Sequence, residues 1–364
     1  MAPVTPSVLR WAREQAAVSV AEVAKRASVP EARVVAWEAG EASPTVAKLR
    51  SIADLFKQPM ALFFTPAPPV SSVRLPPDFR SVGAATGRGL AREIRLAEER
   101  RDTFKQLAPE AVSAAAWPRW SATGKLAPAE VRDRLRVSVA AVAAARTANE
   151  SLRLWITAVE NQGVLVFQMS RVGDGDCSGF AVDDPTTPVI VLNGKDAPQR
   201  RAFTLLHELG HLLGHSGGLC LLDEDDDRER TCNRFAESVL MPTDEVRRAI
   251  AEAQGREAVD VVEKRFHVSR LAAAVALRRH GLVAQSVVDY EKQRSDEARK
   301  QPPARSGFAR PERLKRRNLG DVYLTAVLDA MDRDMISVTD ATYFLGAKVE
   351  MIGKLERELA GNPR

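Results

Sequence analysis

Apolar residues recur every three or four positions along most of this chain, the pattern of helices that bury one face. Leu49, Ile52, Ala53 and Phe56 form one such stripe, and Thr45 stands where a cap would open it. Upstream, Thr5-Pro6 predicts a helix start with proline at the first helical position. Ser19 and Glu22 predict a capping box, and Val29-Pro30 opens a third segment that carries Trp37 and ends near Gly40. Pro59 opens a last short piece ending in Phe63 and Phe64. Five short helices in about 60 residues, two of them tightly joined, predict a helix-turn-helix domain.

The proline-rich run TPAPPVSSVRLPPDFRS then reads as a linker, followed by a long charged helix over 84–107 and a helical stretch over 128–159. At that point the period changes. Val164–Met169 and Val189–Leu192 are short β-branched runs bounded by Gly, Asp and Pro, so they predict strands of a small sheet. Helices return to about Lys292, and Leu324, Val327, Leu328 and Met331 are in helical register within 318–359. The predicted organisation is a helix-turn-helix domain over 1–66, a linker over 67–84, a core domain over 85–291, a basic linker over 292–317 and a small helical module over 318–364.

Composition narrows the class. The chain has 364 residues with 45% hydrophobic and 28% charged, which excludes a collagen-like or globally disordered protein. The net charge is +5, but Lys292–Arg317 holds ten Lys/Arg against three Asp/Glu, so the rest of the chain is near −2. The basic balance is one segment, read as a solvated linker rather than a nucleic-acid stretch. No run approaches a membrane-spanning length and the N-terminus has no apolar signal core, so a cytoplasmic location without membrane partners is expected. The three cysteines, Cys177, Cys220 and Cys232, are then expected to be mostly reduced.

The chemistry concentrates in FTLLHELGHLLGH. His207 and His211 are four apart, so on a helix they project from one face about one turn apart. Two imidazoles so held can share a zinc ion, and Glu208 between them can deprotonate a water and hand the proton to a leaving amine. This is the HExxH pattern of zinc peptidases. Asp196 and Gln199 supply a cap pattern for that helix. His215 stands about 12 Å along the helix from His207, too far to share the ion, and reads as a pocket-wall or structural residue. A third ligand is sought in RERTCNRFAESVLMP, where Glu229, Cys232 and Glu237 are the possibilities, spacing favouring Glu229 only weakly. The acidic run Asp223–Asp227 reads as a solvated loop, and Cys220 and Cys232 as inert thiols, a redox pair being the alternative. His267, His280 and Tyr290 are the nearest candidates for stabilising an oxyanion, and nothing local singles one out.

Two resemblances sharpen these readings. The run SVAEVAKRASVPEARVVAWEAGEASPTVAKLRSIADLF resembles the Xre/Cro-type helix-turn-helix at Ala24, Val34, Trp37, Glu38, Gly40 and Pro44-Thr45. It departs from that type at Ala21, where glutamine is usual. Its outward face offers Glu31, Ala32, Arg33 and Ala36, of which only Arg33 suits a base edge. These residues favour a helical module that docks protein or merely dimerises, with specific DNA reading as the alternative. The pieces GVLVFQMS, SGFAVDDPTTPVIVLN, RRAFTLLHELGHLLGH and ERTCNRFAESVLMP resemble the ImmA/IrrE family of metallopeptidases.

That second resemblance implies a mainly α fold with a small β-sheet: a helix-turn-helix domain, a zincin-like, gluzincin-type α+β peptidase domain and a helical C-terminal module. It implies Glu229 as the third zinc ligand and a partner transcriptional repressor, cut in a stress or mobile-element response, as substrate. The expected site is then His207, His211 and Glu229 on Zn2+, with Glu208 catalytic and Arg33 as a DNA contact. Expected partners are an Xre-type repressor, DNA and a second copy of the chain. The rival reading is a DNA-binding regulator, or an antitoxin-like module, whose zinc site is structural or inactive.

Overall fold

The computed structural model describes residues 4–16, 18–56, 60–67, 84–115, 117, 127–170, 177–214, 227–251, 255–300 and 310–361. The chain divides into two compact units, Met1–Leu96 and Ala97–Arg364. The first contains α1 (Pro6–Gln15), α2 (Val20–Ala27), α3 (Glu31–Ala39), α4 (Val46–Phe56) and a 3₁₀ turn over Met60–Phe64. Ser19 and Glu22 do form a reciprocal capping box, and Thr45 Oγ1 accepts from Lys48 N at 3.3 Å. Thr5 behaves differently. Its side chain does not cap α1; Oγ1 donates instead to Thr65 O at 2.7 Å, tying the start of the unit to its end. Ser28 takes a left-handed φ of 51° between α2 and α3, and Ala24, Val34, Trp37, Leu49, Ile52 and Phe56 close the core.

The second unit begins within α5 (Ala84–Leu107), which matches the expected charged helix, and continues with α6 (Pro109–Ala114). The single helical stretch expected over 128–159 is three helices, α7 (Pro128–Leu135), α8 (Val139–Ala144) and α9 (Ala148–Glu160). Arg136 at φ 55° breaks the first, and Ser138 and Thr147 cap the other two through Ala141 N and Glu150 N. The alanines between Ala140 and Ala145 carry the apolar pattern on toward the next helix and conceal the second break.

The sheet comprises β1 (Leu165–Met169), β2 (Gly179–Val182) and β3 (Val189–Asn193) in the order β1-β3-β2. β1 runs parallel to β3 with Leu165 opposite Val189, and β2 runs antiparallel to it with Gly179 opposite Leu192. Every strand residue is buried, which is why β1 and β3 read as largely apolar runs, interrupted by Gln168 and ended by Asn193, rather than as alternations. Asp184 organises the β2–β3 turn: one carboxylate oxygen accepts from Thr186 N and Thr187 N, and Lys105 Nζ donates to both oxygens at 2.6–2.7 Å.

α10 (Pro198–Leu213) lies against the sheet and α9, and α11 (Asp227–Leu240) lies against α10. α12 (Thr243–Ala249), α13 (Gly255–Phe266), α14 (Arg270–Arg279) and α15 (Gln285–Lys300) follow. The C-terminal helices are α16 (Pro311–Leu319), α17 (Asp321–Asp332), α18 (Val338–Leu345) and α19 (Val349–Ala360). Much of the stretch read as a basic linker is therefore helical: α15 runs to Lys300 and α16 starts at Pro311, while residues 301–309 lie outside the described residues.

α16 packs on β1. The contact is close because Gly320, at φ 72° and ψ 151°, has no side chain; a Cβ there would lie 2.5 Å from Val166 O. Asn318 donates to Ser170 Oγ at 2.9 Å, and Tyr323 meets Phe167 edge-on at 5.6 Å. The protein is thus mainly helical, with a small buried sheet that supports the helices carrying the site.

Candidate metal centre

α10 is helical because its apolar positions make one broad stripe. Leu205, Leu206, Leu209 and Leu212 are fully buried in the core with Trp155, Ile190, Ala236 and Val239. Its start corrects the sequence reading. Ala197 is the N-cap with Pro198 at the first helical position, so Asp196 lies outside the helix, 3.5 Å from Arg200. Proline fixes the first turn there, and Gln199 makes no capping box.

On this helix His207, Glu208 and His211 are all buried, at 7%, 1% and 3% exposure. α11 crosses it and brings Glu229 from its first turn. Glu229 Oε2 lies 3.1 Å from His207 Nε2, Oε1 lies 3.1 Å from His211 Nε2, and the two Nε2 atoms are 3.1 Å apart. These are the described residues whose donor atoms converge as a group able to hold a metal ion. The donor set tests well against that role. Ligands on a tetrahedral ion at about 2.0–2.1 Å would stand about 3.3 Å from one another, close to the spacing here. Burial pushes the Glu229 carboxyl up, but hydrogen bonds and charge from the two imidazoles outweigh it and hold the group well below the usual carboxylate range.

The crossing of α10 and α11 depends on Gly210. A Cβ there would meet Phe235 Cδ1 at 2.9 Å and Cys232 Sγ at 3.6 Å. At its other end α11 is held by Arg132, which is buried, donates to Val239 O and stacks 5.1 Å from the Trp155 ring. Burial pushes the Arg132 guanidinium down to about 10. This cation satisfies carbonyls that the helix end would otherwise leave unpaired.

The other candidates fall elsewhere. Cys232 is buried beside Gly210, and the converging donor group does not include it. Glu237 pairs with Arg279 at 2.7 Å. His267 sits at φ 51°, with Nε2 2.9 Å from Ala145 O, and His280 Nε2 lies 3.2 Å from Thr243 Oγ1. Tyr290 is half-exposed under the Arg256 guanidinium. His215, Cys220 and residues 223–226 lie outside the described residues. Arg33 is exposed on α3, as are Glu31 and Ala32. Sequence reasoning missed Gly210 and Arg132; a glycine inside an apolar helix is the one signal that could have pointed to a close crossing.

Comparison with known families gives two matches. Residues 159–278 match the IrrE N-terminal-like domain, a family of peptidases, and residues 9–63 match the helix-turn-helix family. The IrrE-like match spans the sheet, both helices that bring the His207, His211 and Glu229 donors together and the helices into α14, and the helix-turn-helix match covers the core of the first unit. The architecture is therefore an Xre-like helix-turn-helix preceding a zincin-like peptidase domain. None of the curated proteins compared matches the chain. No helix among the described residues is long and apolar enough to cross a membrane.

Proposed function

We propose that the protein is a zinc endopeptidase in which His207, His211 and Glu229 hold the ion and Glu208 acts as general base. One observation carries this reading: two imidazole nitrogens and a carboxylate stand 3.1 Å apart in a buried site. Three protein ligands, rather than four, are what a catalytic zinc site uses. When bound, zinc supplies a Lewis acid that polarises the scissile carbonyl and acidifies water. The chain's own residues do the rest. The α10 stripe packs into the core and so fixes the helix from which both imidazoles project. The Glu208 carboxylate takes a proton from the attacking water and passes it to the departing amine, as general acid–base catalysis requires.

The substrate in this reading is a partner transcriptional repressor of Xre type in the cytoplasm. Residues 1–66 dock on DNA or on that repressor, and 85–291 cut. The helix-turn-helix match and the exposed Arg33 support docking on DNA, where arginine suits guanine. They equally favour a second reading, a DNA-binding regulator that does not cut.

Metal analysis and cleavage of a co-expressed repressor separate the two. Wild type should hold about one zinc per chain, Glu229→Ala should lose it, and Glu208→Gln should keep it. Cleavage by Glu208→Gln should fall by about 10²–10⁴-fold. Full cleavage by that variant would remove Glu208 from the mechanism. Zinc in wild type with no cleavage of any co-expressed repressor would favour the regulator.

A further inference from the structure

The second unit contains a cavity of ≈ 750 Å³ between α9, α10 and β1 on one side and α16, α17 and α19 on the other. Its lining holds six arginines, Arg153, Arg201, Arg313, Arg316, Arg317 and Arg357, against three carboxylates. Two carboxylates are already committed: Asp321 pairs with Arg316 at 2.7 Å and Glu358 with Arg313 at 3.2 Å. The third, Glu160, is buried at the end of α9 beside Gly320.

Arg201 is the unusual member. It is only 5% exposed, and it donates to neutral amides, Gln168 Oε1 at 2.7 Å and Asn149 Oδ1 at 3.3 Å. Its Nε has no hydrogen-bond partner among the described residues. Arg317, half-buried, lines the same cavity and bonds to Asn318 Oδ1. Neither arginine forms an ion pair with a carboxylate among the described residues. Burial first, and Arg317 second, push the Arg201 guanidinium down to about 10 against the opposing pull of Asp196, and burial lowers the Arg317 guanidinium as well. Asp196, the carboxylate that offsets this, lies 3.5 Å from Arg200 and makes no ion pair with Arg201; a buried cation without a directly paired carboxylate is costly, and an unsatisfied donor adds to that cost. The peptidase reading makes no use of either residue.

We propose that this cavity is a binding site for a small phosphate-bearing organic anion, held by Arg201 at its floor and Arg317 on its wall. The fork of a guanidinium matches phosphate oxygens in pairs. The volume is in the range of pockets that enclose ligands of drug size, and far exceeds what inorganic phosphate fills. Because α16, α17 and α19 form one wall, an occupant bridges the C-terminal helices to the sheet and α10.

The test is isothermal titration calorimetry on the full-length chain with inorganic phosphate, ATP and adenosine as probes, at matched ionic strength. Saturable binding of ATP, weaker binding of phosphate and none of adenosine are expected. Arg317→Gln and Arg201→Gln should each weaken ATP by about ten- to a hundredfold, the range for a hydrogen bond to a charged group. Arg317→Gln is the safer variant should the buried Arg201→Gln fail to fold. Absence of ATP binding by wild type, equal binding of adenosine, or unchanged affinity in Arg317→Gln would each overturn the proposal. So would binding of duplex DNA, but not ATP, that Arg317→Gln abolishes. The measurement is independent of zinc and of cleavage.

Discussion

Replacing Gly210 by alanine separates folding from metal binding. Gly210 stands between His207 and His211 on α10, where a Cβ would lie 2.9 Å from Phe235 Cδ1 of α11. Carbon atoms rest at about 3.5–4.0 Å, so the two helices must part by about 0.6–1.1 Å unless the ring swings away. Alanine also gains about 1 kcal/mol of helix propensity over glycine. Overpacking costs about 1–3 kcal/mol, so the net loss of stability is only about 0–2 kcal/mol. Metal ligation is less tolerant. Glu229 rides on α11 while both histidines ride on α10, and ligand distances must hold within about 0.2 Å.

A shift several times that size should weaken zinc binding by about tenfold or more, at 1.4 kcal/mol per decade, while the metal-free fold survives. The assay is a zinc titration against a chromophoric chelator, with thermal melts after metal removal. Gly210→Ala with Phe235→Leu should recover most of the affinity, because the obstructing ring atom is gone. Zinc affinity within about twofold of wild type in Gly210→Ala would refute the argument, since the crossing would then not set the ligand geometry. A double variant no better than the single would refute it too.

Two further outcomes follow from the packing. Gly320→Ala places a side chain against Val166 O in a backbone region open essentially to glycine, and should cost about 1–3 kcal/mol. It should also release α16 from β1, seen as faster tryptic cleavage at Arg313–Arg317; unchanged melting and proteolysis would show that the contact does not matter. Burial raises the folded-state pKa of Glu237 above its usual 4.5, with Arg279 opposing. The protonated form is thus favoured in the fold: its contribution is complete below 4.5 and is lost as pH rises through the raised value. Glu237→Gln should therefore flatten this part of the stability–pH curve and gain relative to wild type above that window; denaturant melts from pH 4 to 7 that stay parallel would exclude it.

What the sequence made legible is what depends on neighbours within a turn or two. The Ser19/Glu22 box, the Thr45 cap and the helix over 84–107 are local, and each stands as expected. The breaks at Arg136 and Ala145 were readable in principle from Ser138 and Thr147, but the alanine run masked the second. β2 was not readable as a strand. It has four residues, and its identity comes from pairing with β3 rather than from any pattern of its own. The docking of α16 on β1 rests on one glycine conformation, which sequence does not distinguish from an ordinary turn.

The proposed metal-binding group divides along the same line. The spacing of His207 and His211 places both on one face of any helix, so half of the donor set is a local property and was legible at once. Glu229 is a property of packing. It reaches the histidines only because Gly210 lets α11 approach and Arg132 holds the far end of that helix, and neither residue touches the converging atoms. Within RERTCNRFAESVLMP, spacing could not choose firmly among Glu229, Cys232 and Glu237, since all lie on one helix within about three turns. The crossing angle chooses. It turns Glu229 toward the imidazoles, sets Cys232 against the Gly210 backbone and leaves Glu237 to Arg279. A substitution at the crossing should therefore disturb metal binding as surely as one at a ligand, and that distinguishes a site built by two packed helices from one carried by a motif alone.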